Sequence, residues 1–214
     1  MSSETFSLLL QGLPVTIMLT LGAFGLGAAL AVPLTALRVA PHWLPRTVAA
    51  LLIQFVRAVP PLLWLFIIFF GVGMSIVPID PFPAALVGLT LIATANIAEI
   101  YRGALSSISL GQFEAIRALS IRPTSAFFEI IAPQVFRVAL PSGATYLIGL
   151  MKETAIASTI GVTELVFRGN QVTQLTFRGL EAFAVVAVLF ILLSLPIAWA
   201  SRWLDNALRS KVAR

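Results

Sequence analysis

Long apolar stretches without charge dominate the chain and predict helices that cross a membrane. Four intervals contain no charged residue: 5–37, 58–79, 81–98 and 182–201. A fifth interval, 138–163, contains only Lys152 and Glu153. A membrane-spanning helix needs about 20 mostly apolar residues. We therefore predict an all-α membrane protein with five transmembrane helices, at approximately 12–37, 47–70, 82–102, 134–159 and 182–203.

Small residues mark one side of the first predicted span. Ala23, Gly27 and Ala31 recur every four residues and fall on one face of a helix. Such residues let helix backbones approach closely in lipid, where packing drives association. We predict that this face packs against another helix of the bundle.

The composition agrees with a single membrane domain over residues 1–214. Hydrophobic residues make up 59% of the chain and charged residues 11%, whereas a soluble domain carries about a quarter charged residues. The chain has no cysteine and one histidine. It therefore lacks the residues for a disulfide, a cysteine-ligated metal or a His-x-x-x-His site, and we expect no metal or cofactor in it.

The distribution of basic residues predicts the orientation, because Lys and Arg accumulate in cytoplasmic loops. With the N-terminus outside, the inner loops and tail hold ten of the 14 Lys and Arg residues and the outer segments hold only Arg168 and Arg178. The ten inner residues are Arg38, Arg46, Arg102, Arg117, Arg122, Arg137, Arg202, Arg209, Lys211 and Arg214. The net charge of +5 thus suits the anionic inner leaflet rather than a nucleic acid.

The inner loop 106–133 contains a short amphipathic segment. Gly111 is expected to break one helix and Arg122-Pro123 to end another, leaving a helix over 112–121. Phe113, Ile116 and Leu119 share one face of this helix, and Glu114 and Arg117 form an i, i+3 pair on another face. Periodicity alone leaves two interpretations open: the helix inserts into a groove on a partner protein, or it rests on lipid.

A few polar residues lie deep within the predicted spans, where they default to functional candidates. Glu153 or Thr154, with Ser158 one turn further, could contact a solute, and Asn96 is an amide well inside the third span. Arg57 could pair with a carboxylate of the bundle or bind a carboxylate of the substrate. Glu153 and Lys152 point about 100° apart on a helix, so they cannot share one small site.

Five sequence elements, taken in order, resemble the permeases of polar amino-acid ABC importers. They are Phe55–Pro60, Ala98–Gly103, Gly111–Ser120, Ala132–Val135 and Lys152–Ala155, within a resemblance that covers roughly residues 10–205. The third element is similar to the cytoplasmic "EAA" loop of that family. Ser120 stands where the family's loop usually has glycine, so the turn must avoid a positive φ or tolerate strain. Ile116, Ala58, Val59 and Ala155 also depart from the pattern.

The resemblance implies the five-helix fold of a type I importer permease with a cytoplasmic coupling helix, in a bacterial inner membrane. It implies that the chain pairs with itself or with a sister permease, and that an extracytoplasmic solute-binding protein delivers a polar amino acid. A cytoplasmic ABC ATPase, which carries the ATP and Mg²⁺, would dock on the coupling loop. The residues assigned to this coupling are Gly111, Phe113, Glu114, Ala115, Ile116, Arg117 and Leu119. The substrate path would use Arg57, Asn96, Glu153, Thr154 and Ser158.

Other classes of function fit the sequence less well. The chain lacks a Gly-x-x-x-x-Gly-Lys-Ser/Thr phosphate loop, and Asp80 and Asp205 lie outside the spans, so no catalytic residue is assigned and an enzyme is not expected. A permease for a related zwitterionic or cationic solute remains an alternative. So does a secondary transporter independent of an ATPase, although such proteins usually have more spans and inverted repeats. Co-purification with an ATPase would separate these two classes.

Overall fold

The computed structural model describes the backbone of residues 3–73 and 76–210, with side chains as far as Leu204. Lys211 and Arg214, counted above among the inner basic residues, lie outside the described residues. Within the described ranges the regular structure is entirely helical.

Three long apolar helices match three of the predicted spans. Helix α1, Ser3–Leu10, leads into α2, Gly12–Arg38, and together they form one candidate span. The others are α5, Pro81–Ser106, and the helix α10, Gly179–Ser210. Among the described residues these are the three helices that are long and apolar enough to cross a membrane, judged by length and composition.

The second predicted span is not one continuous helix. It consists of α3, Trp43–Ala58, then α4, Pro61–Phe66, which passes into a π-helical turn over Ile67–Gly73. The two parts are bent by 96°. The break lies at Val59-Pro60, because proline has no N–H to donate and disfavours helical geometry in the residue before it. Val59 is accordingly extended, with φ −87° and ψ 129°.

The fourth predicted span also changes geometry along its length. Helix α8, Ala132–Glu153, tightens into a 3₁₀ segment over Thr154–Ile160. Because Arg137 and Lys152 make α8 less apolar, α8 is not one of the candidate spans. Within the described part of the chain the count is therefore three, or four if the bent pair α3–α4 forms one span. The five-span count stays a prediction.

Shorter helices connect these elements. On the segment after α5 lie α6, Leu110–Ala118, and α7, Pro123–Ser125, followed by a π-helical segment over Ala126–Ile131 that leads into α8. Helix α9, Leu165–Thr176, precedes α10 and was not predicted from the sequence.

Helices α2 and α5 form the centre of the fold. Ala23, Gly27 and Ala31 are all buried, which confirms the predicted small-residue face. A Cβ atom added to Gly27 would lie 2.6 Å from the Cβ atom of Ala93 on α5. The two backbones thus approach as closely as the side chains at this crossing permit.

Glu164 joins the start of α9 to the start of α2. Its carboxylate accepts hydrogen bonds from the backbone N–H groups of Val166, at 2.9 Å, and Phe167, at 2.7 Å, and so caps α9. The side chain is completely buried, although it lies outside the predicted spans. Burial raises the pKa of Glu164 to about 7, while its two backbone hydrogen bonds act to lower it.

The contact between α2 and α5 predicts opposite effects of alanine at two glycines. Gly27→Ala should destabilise the fold by about 1–3 kcal/mol, because the added methyl group has no room. Gly25→Ala is the matched control: a Cβ atom there has no neighbour within 4 Å, and alanine favours the helix. Thermal unfolding of the purified protein in detergent measures both. Equal midpoints for the two variants would contradict this account of the crossing.

The buried carboxyl of Glu164 predicts a dependence of stability on pH. Its pKa is raised in the native state, so between about pH 4.5 and 7 the native state binds more protons than the unfolded state. Stability should therefore fall as the pH rises through this window. In Glu164→Gln the thermal midpoint should depend less on pH between these values. In the control Glu181→Gln, at an exposed position, the dependence of the midpoint on pH should match that of the parent protein. An unaltered slope in Glu164→Gln would show that another group titrates.

Candidate functional site

A polar pair connects the end of α3 to the middle of α5. The Nε atom of Arg57 donates to Oδ1 of Asn96 at 3.2 Å, and Nδ2 of Asn96 donates to the carbonyl of Ile92 at 2.9 Å. Because the Ile92 carbonyl only accepts, it fixes the amide with Oδ1 towards Arg57. The partner of Arg57 is thus a neutral amide and not the bundle carboxylate that we considered. The Arg57 side chain is exposed, and among the described side chains no carboxylate forms an ion pair with it.

Helix α8 carries two further polar residues, Tyr146 and Glu153, and Tyr146 relates Glu153 to this pair. Glu153 is half-buried, and its buried Oε2 atom has no hydrogen-bond partner. Tyr146 lies within electrostatic range of Glu153 and beside the Asn96 amide, but its buried hydroxyl makes no hydrogen bond of standard geometry. The structure therefore brings together Arg57, Asn96, Tyr146 and Glu153, a group that we call the interior polar cluster.

Tyr146 was missing from the residues that we selected by sequence. It precedes Glu153 by seven residues, which is close to two turns of helix and puts both side chains on one face of α8. That spacing was the available signal. Lys152, which was expected to diverge from Glu153, is exposed.

Thr154 and Ser158 use their hydroxyl groups within their own segment. Thr154 is fully buried and donates to the carbonyl of Met151 at 2.7 Å, while half-buried Ser158 donates to the carbonyl of Ala155 at 2.7 Å. These bonds satisfy the two hydroxyl groups locally. In this conformation the interior polar cluster, and not these hydroxyl groups, offers unsatisfied polar atoms.

An ion-pair triad holds the ends of α2 and α5 together. Oε2 of Glu99 lies 2.7 Å from Nε of Arg102, three residues further along α5. Oε1 of Glu99 lies 3.3 Å from Nε of Arg38 on α2. Since Glu99 is largely shielded from solvent and both its oxygens are used, the triad fixes the end of α5 from which the chain continues into α6.

Helix α6 covers most of the segment 112–121 where we predicted a short helix, but it starts earlier than expected. It begins at Leu110, so Gly111 lies inside it, and our prediction that Gly111 breaks a helix is wrong. Phe113 and Ile116 are half-buried against the chain, whereas Leu119 is 72% exposed. The remaining exposed residues, together with Leu119, form what we call the α6 surface: Leu110, Gly111, Glu114, Ala115, Arg117 and Ala118. Among the described side chains Glu114 and Arg117 form no ion pair with each other.

The end of α6 is fixed by a left-handed turn at Ser120. Its φ is +51°, so the turn tolerates the strain that we anticipated from the missing glycine. The N–H of Ser120 donates to the carbonyl of Arg117 at 3.0 Å, and the N–H of Ile121 donates to the carbonyl of Ile116 at 3.1 Å. These two bonds are the pattern of a Schellman motif, which normally places glycine at the left-handed position.

Comparison with known proteins identifies the class to which this arrangement belongs. Residues 22–210 match the family described as "Binding-protein-dependent transport system inner membrane component". The match covers well over half of the chain, and the chain belongs to this family of membrane permease components. The resemblance to polar amino-acid ABC importer permeases is thereby confirmed.

Individual relatives are similar over most of their length. The probable amino-acid ABC transporter permease protein PatM of Vibrio harveyi is 37% identical over 73% of this chain and 74% of the relative. The glutamine transport system permease protein GlnP of Escherichia coli strain K12 is 32% identical over 94% of this chain and 93% of the relative.

Solved structures share the fold. An amino acid ABC transporter crystallised with histidines superimposes with a TM-score of 0.88 and 25% identity, covering 95% of both chains. The MetNI methionine ABC transporter in an inward-facing conformation gives a TM-score of 0.82 at 23% identity, over 97% of this chain and 99% of the other, and supports the fold alone.

The turn at Ser120 predicts that glycine improves the end of α6. Ser120→Gly should strengthen it by about 0.5–1 kcal/mol, because the left-handed strain of about 1–2 kcal/mol is relieved and the greater freedom of unfolded glycine offsets part of the gain. Hydrogen exchange of the amides of residues 120 and 121 should slow accordingly. Ser120→Ala, which keeps the strain, is the control and should not slow it. Equal exchange in both variants would show that Cβ strain does not limit this turn.

Proposed function

We propose that the chain is the permease subunit of an ATP-driven importer for polar amino acids. The interior polar cluster is the observation that supports this substrate class. Among the described residues, Arg57 donates to a neutral amide and forms no ion pair, and Glu153 presents a buried carboxylate oxygen without a partner. A buried polar atom without a partner, such as Oε2 of Glu153, is costly. A solute with both a carboxylate and an ammonium group supplies a partner for each.

The relatives support this substrate class. One is a probable amino-acid permease protein and another belongs to a glutamine transport system. The chain also holds a neutral hydrogen-bonding group, Asn96, beside Arg57, which suits the polar side chain of such a solute. A related small zwitterionic or cationic solute would use the same groups and is tested by the same uptake measurements.

The α6 surface is proposed as the docking site of a cytoplasmic ABC ATPase, which carries the ATP and Mg²⁺. Leu119 would enter a groove of the partner, with Gly111, Glu114, Ala115 and Arg117 around it, because such interfaces combine an apolar centre with a charged rim. Phe113 and Ile116 are half-buried. They are therefore proposed to attach α6 to the permease rather than to form the centre of the docking surface.

The remaining parts of the assembly follow from the family and the charge distribution. We propose five membrane segments in a bacterial inner membrane, with the bent pair α3–α4 and the α8 segment completing the three long apolar helices. The basic residues support a cytoplasmic α6 and C-terminus and an external N-terminus. A second permease, identical or related, and an external solute-binding protein complete the importer.

Uptake by the reconstituted importer tests this function. The chain is placed in proteoliposomes with its ATPase and solute-binding protein, and the uptake of labelled glutamine, histidine and arginine is measured with ATP. Glu153→Gln should reduce uptake about 10-fold or more, the order expected for one lost charge-assisted contact. It should reduce uptake of arginine more than uptake of glutamine, because the neutral amide no longer attracts the cation.

Lys152→Gln is the matched control, since Lys152 is the exposed neighbour on the same helix. It should transport as the parent protein does, with the same preference. Unchanged uptake and preference in Glu153→Gln would remove Glu153 from the path. Concentrative uptake that persists when the ATPase is omitted would instead favour a secondary transporter.

A further inference from the structure

We propose that the hydrogen bond between Gln112 and Gln134 is the link that transmits movement of α6 to α8. Nε2 of Gln134 lies 2.6 Å from Oε1 of Gln112, and the pair is partly buried. The inference rests on the proposed function, because it assigns to these two positioning residues the transfer of ATPase movement to the interior polar cluster.

Helix α6 has few other means of moving the bundle. None of its residues is buried. Among the side chains that the structure describes, the Gln112–Gln134 bond is the one hydrogen bond from α6 to another element. Phe113 and Ile116 are half-buried, but apolar burial is non-directional. A short hydrogen bond between side chains adds a contact with a fixed direction.

The orientation of the Gln134 amide is fixed by its own helix. The same Nε2 atom donates to the carbonyl of Ile130 at 2.9 Å. A carbonyl only accepts, so the NH₂ end of the amide faces both Ile130 and Gln112. Both N–H groups of Gln134 are thereby used, and Gln112 must present an oxygen. The link consequently has a polarity: residue 134 donates and residue 112 accepts.

Helix α6 is connected to two elements of different character, α5 through the chain and α8 through the Gln112–Gln134 bond. On one side, the chain leads back within a few residues to the end of α5, which the Glu99 triad binds to α2. On the other side, Gln134 lies at the first turn of α8, directly after the π-helical segment Ala126–Ile131. Such segments make poor helical hydrogen bonds and often mark functional positions. A displacement of α6 therefore passes to the α8 side.

Helix α8 carries that displacement to the interior polar cluster. It is a single helix from Ala132 to Glu153, with Pro141 inside it, where one hydrogen bond of the helix is missing. The 19 residues from Gln134 to Glu153 correspond to roughly 28 Å of helix at ~1.5 Å per residue. Gln134 at one end contacts the coupling helix, and Glu153 at the other end is the carboxylate of the cluster. One continuous helix thus joins the two sites.

The experiment measures the number of amino-acid molecules taken up per ATP hydrolysed by the assembled importer in proteoliposomes, with glutamine, histidine and arginine as probes. Gln112→Met and Gln134→Met keep the side-chain length and remove the hydrogen bond. Each should lower this ratio about three- to tenfold, as expected for loss of one hydrogen bond. The double variant should be no worse than either single variant, because the two residues act through one contact.

Acidic variants test the polarity of the link. Gln112→Glu keeps an oxygen for the Gln134 donor and should retain the ratio of the parent protein. Gln134→Glu removes both N–H groups and places a carboxylate against two oxygens, so it should lower the ratio as Gln134→Met does. A merely structural hydrogen bond predicts the same asymmetry in thermal stability, but an unchanged ratio in the complexes that assemble. Gln174→Met, at an exposed position of α9, controls for loss of a glutamine elsewhere.

Assembly with the ATPase and thermal stability are measured for every variant. A normal ratio in Gln112→Met and Gln134→Met, or additive effects in the double variant, would overturn the link alone. Loss of ATPase binding in Gln112→Met but not in Gln134→Met would also overturn it, because Gln112 would then contact the ATPase directly. Failure of the parent protein to show uptake that depends on the ATPase and on an amino acid would overturn the proposed function itself.

Discussion

The close approach of α2 and α5 is the contact on which the rest of the fold depends. Gly27 faces Ala93 with no room for a methyl group, and this crossing sets α5 as the fixed reference of the bundle. Helix α5 in turn carries both Asn96 and Glu99. Asn96 accepts a hydrogen bond from Arg57 of α3. Glu99 forms ion pairs with Arg38 of α2 and with Arg102 near the end of α5. The apolar crossing of α2 and α5 therefore positions both the Arg57–Asn96 hydrogen bond and the Glu99 ion-pair triad.

The lipid surroundings explain why polar groups without a local hydrogen-bond partner, as in the interior polar cluster, are unusual. A helix surrounded by hydrocarbon must satisfy its polar groups internally. Hydroxyl groups achieve this by bonding to the carbonyl one turn back, as Thr20 does to Thr16 and Thr94 does to Thr90. The carboxylate of Glu153 and the guanidinium of Arg57 have no equivalent local solution. Their charges persist within the bundle only where a cavity or a solute provides partners.

The elements that could be predicted from sequence are those governed by local pattern. The small-residue face of α2, the Glu99–Arg102 pair and a short helix near 112–121 depend on spacing along one helix. The break at Val59-Pro60 had a local signal too, but the uninterrupted apolar run outweighed it. Helix α9 was missed because its polar composition resembles a loop. The partner of Arg57 lies 39 residues away on another helix, so no pattern within one segment could reveal it.

One structural device orients the amide groups at both sites. Asn96 and Gln134 each donate an N–H to the carbonyl four residues earlier in their own helix. At Asn96 this leaves the oxygen free, and it accepts from Arg57. At Gln134 it engages one of the two N–H groups, and the other reaches Gln112. A helix carbonyl can only accept, so neither amide can turn over without losing its local bond. The backbone of each helix thereby decides that one amide accepts from a cation and that the other donates to α6.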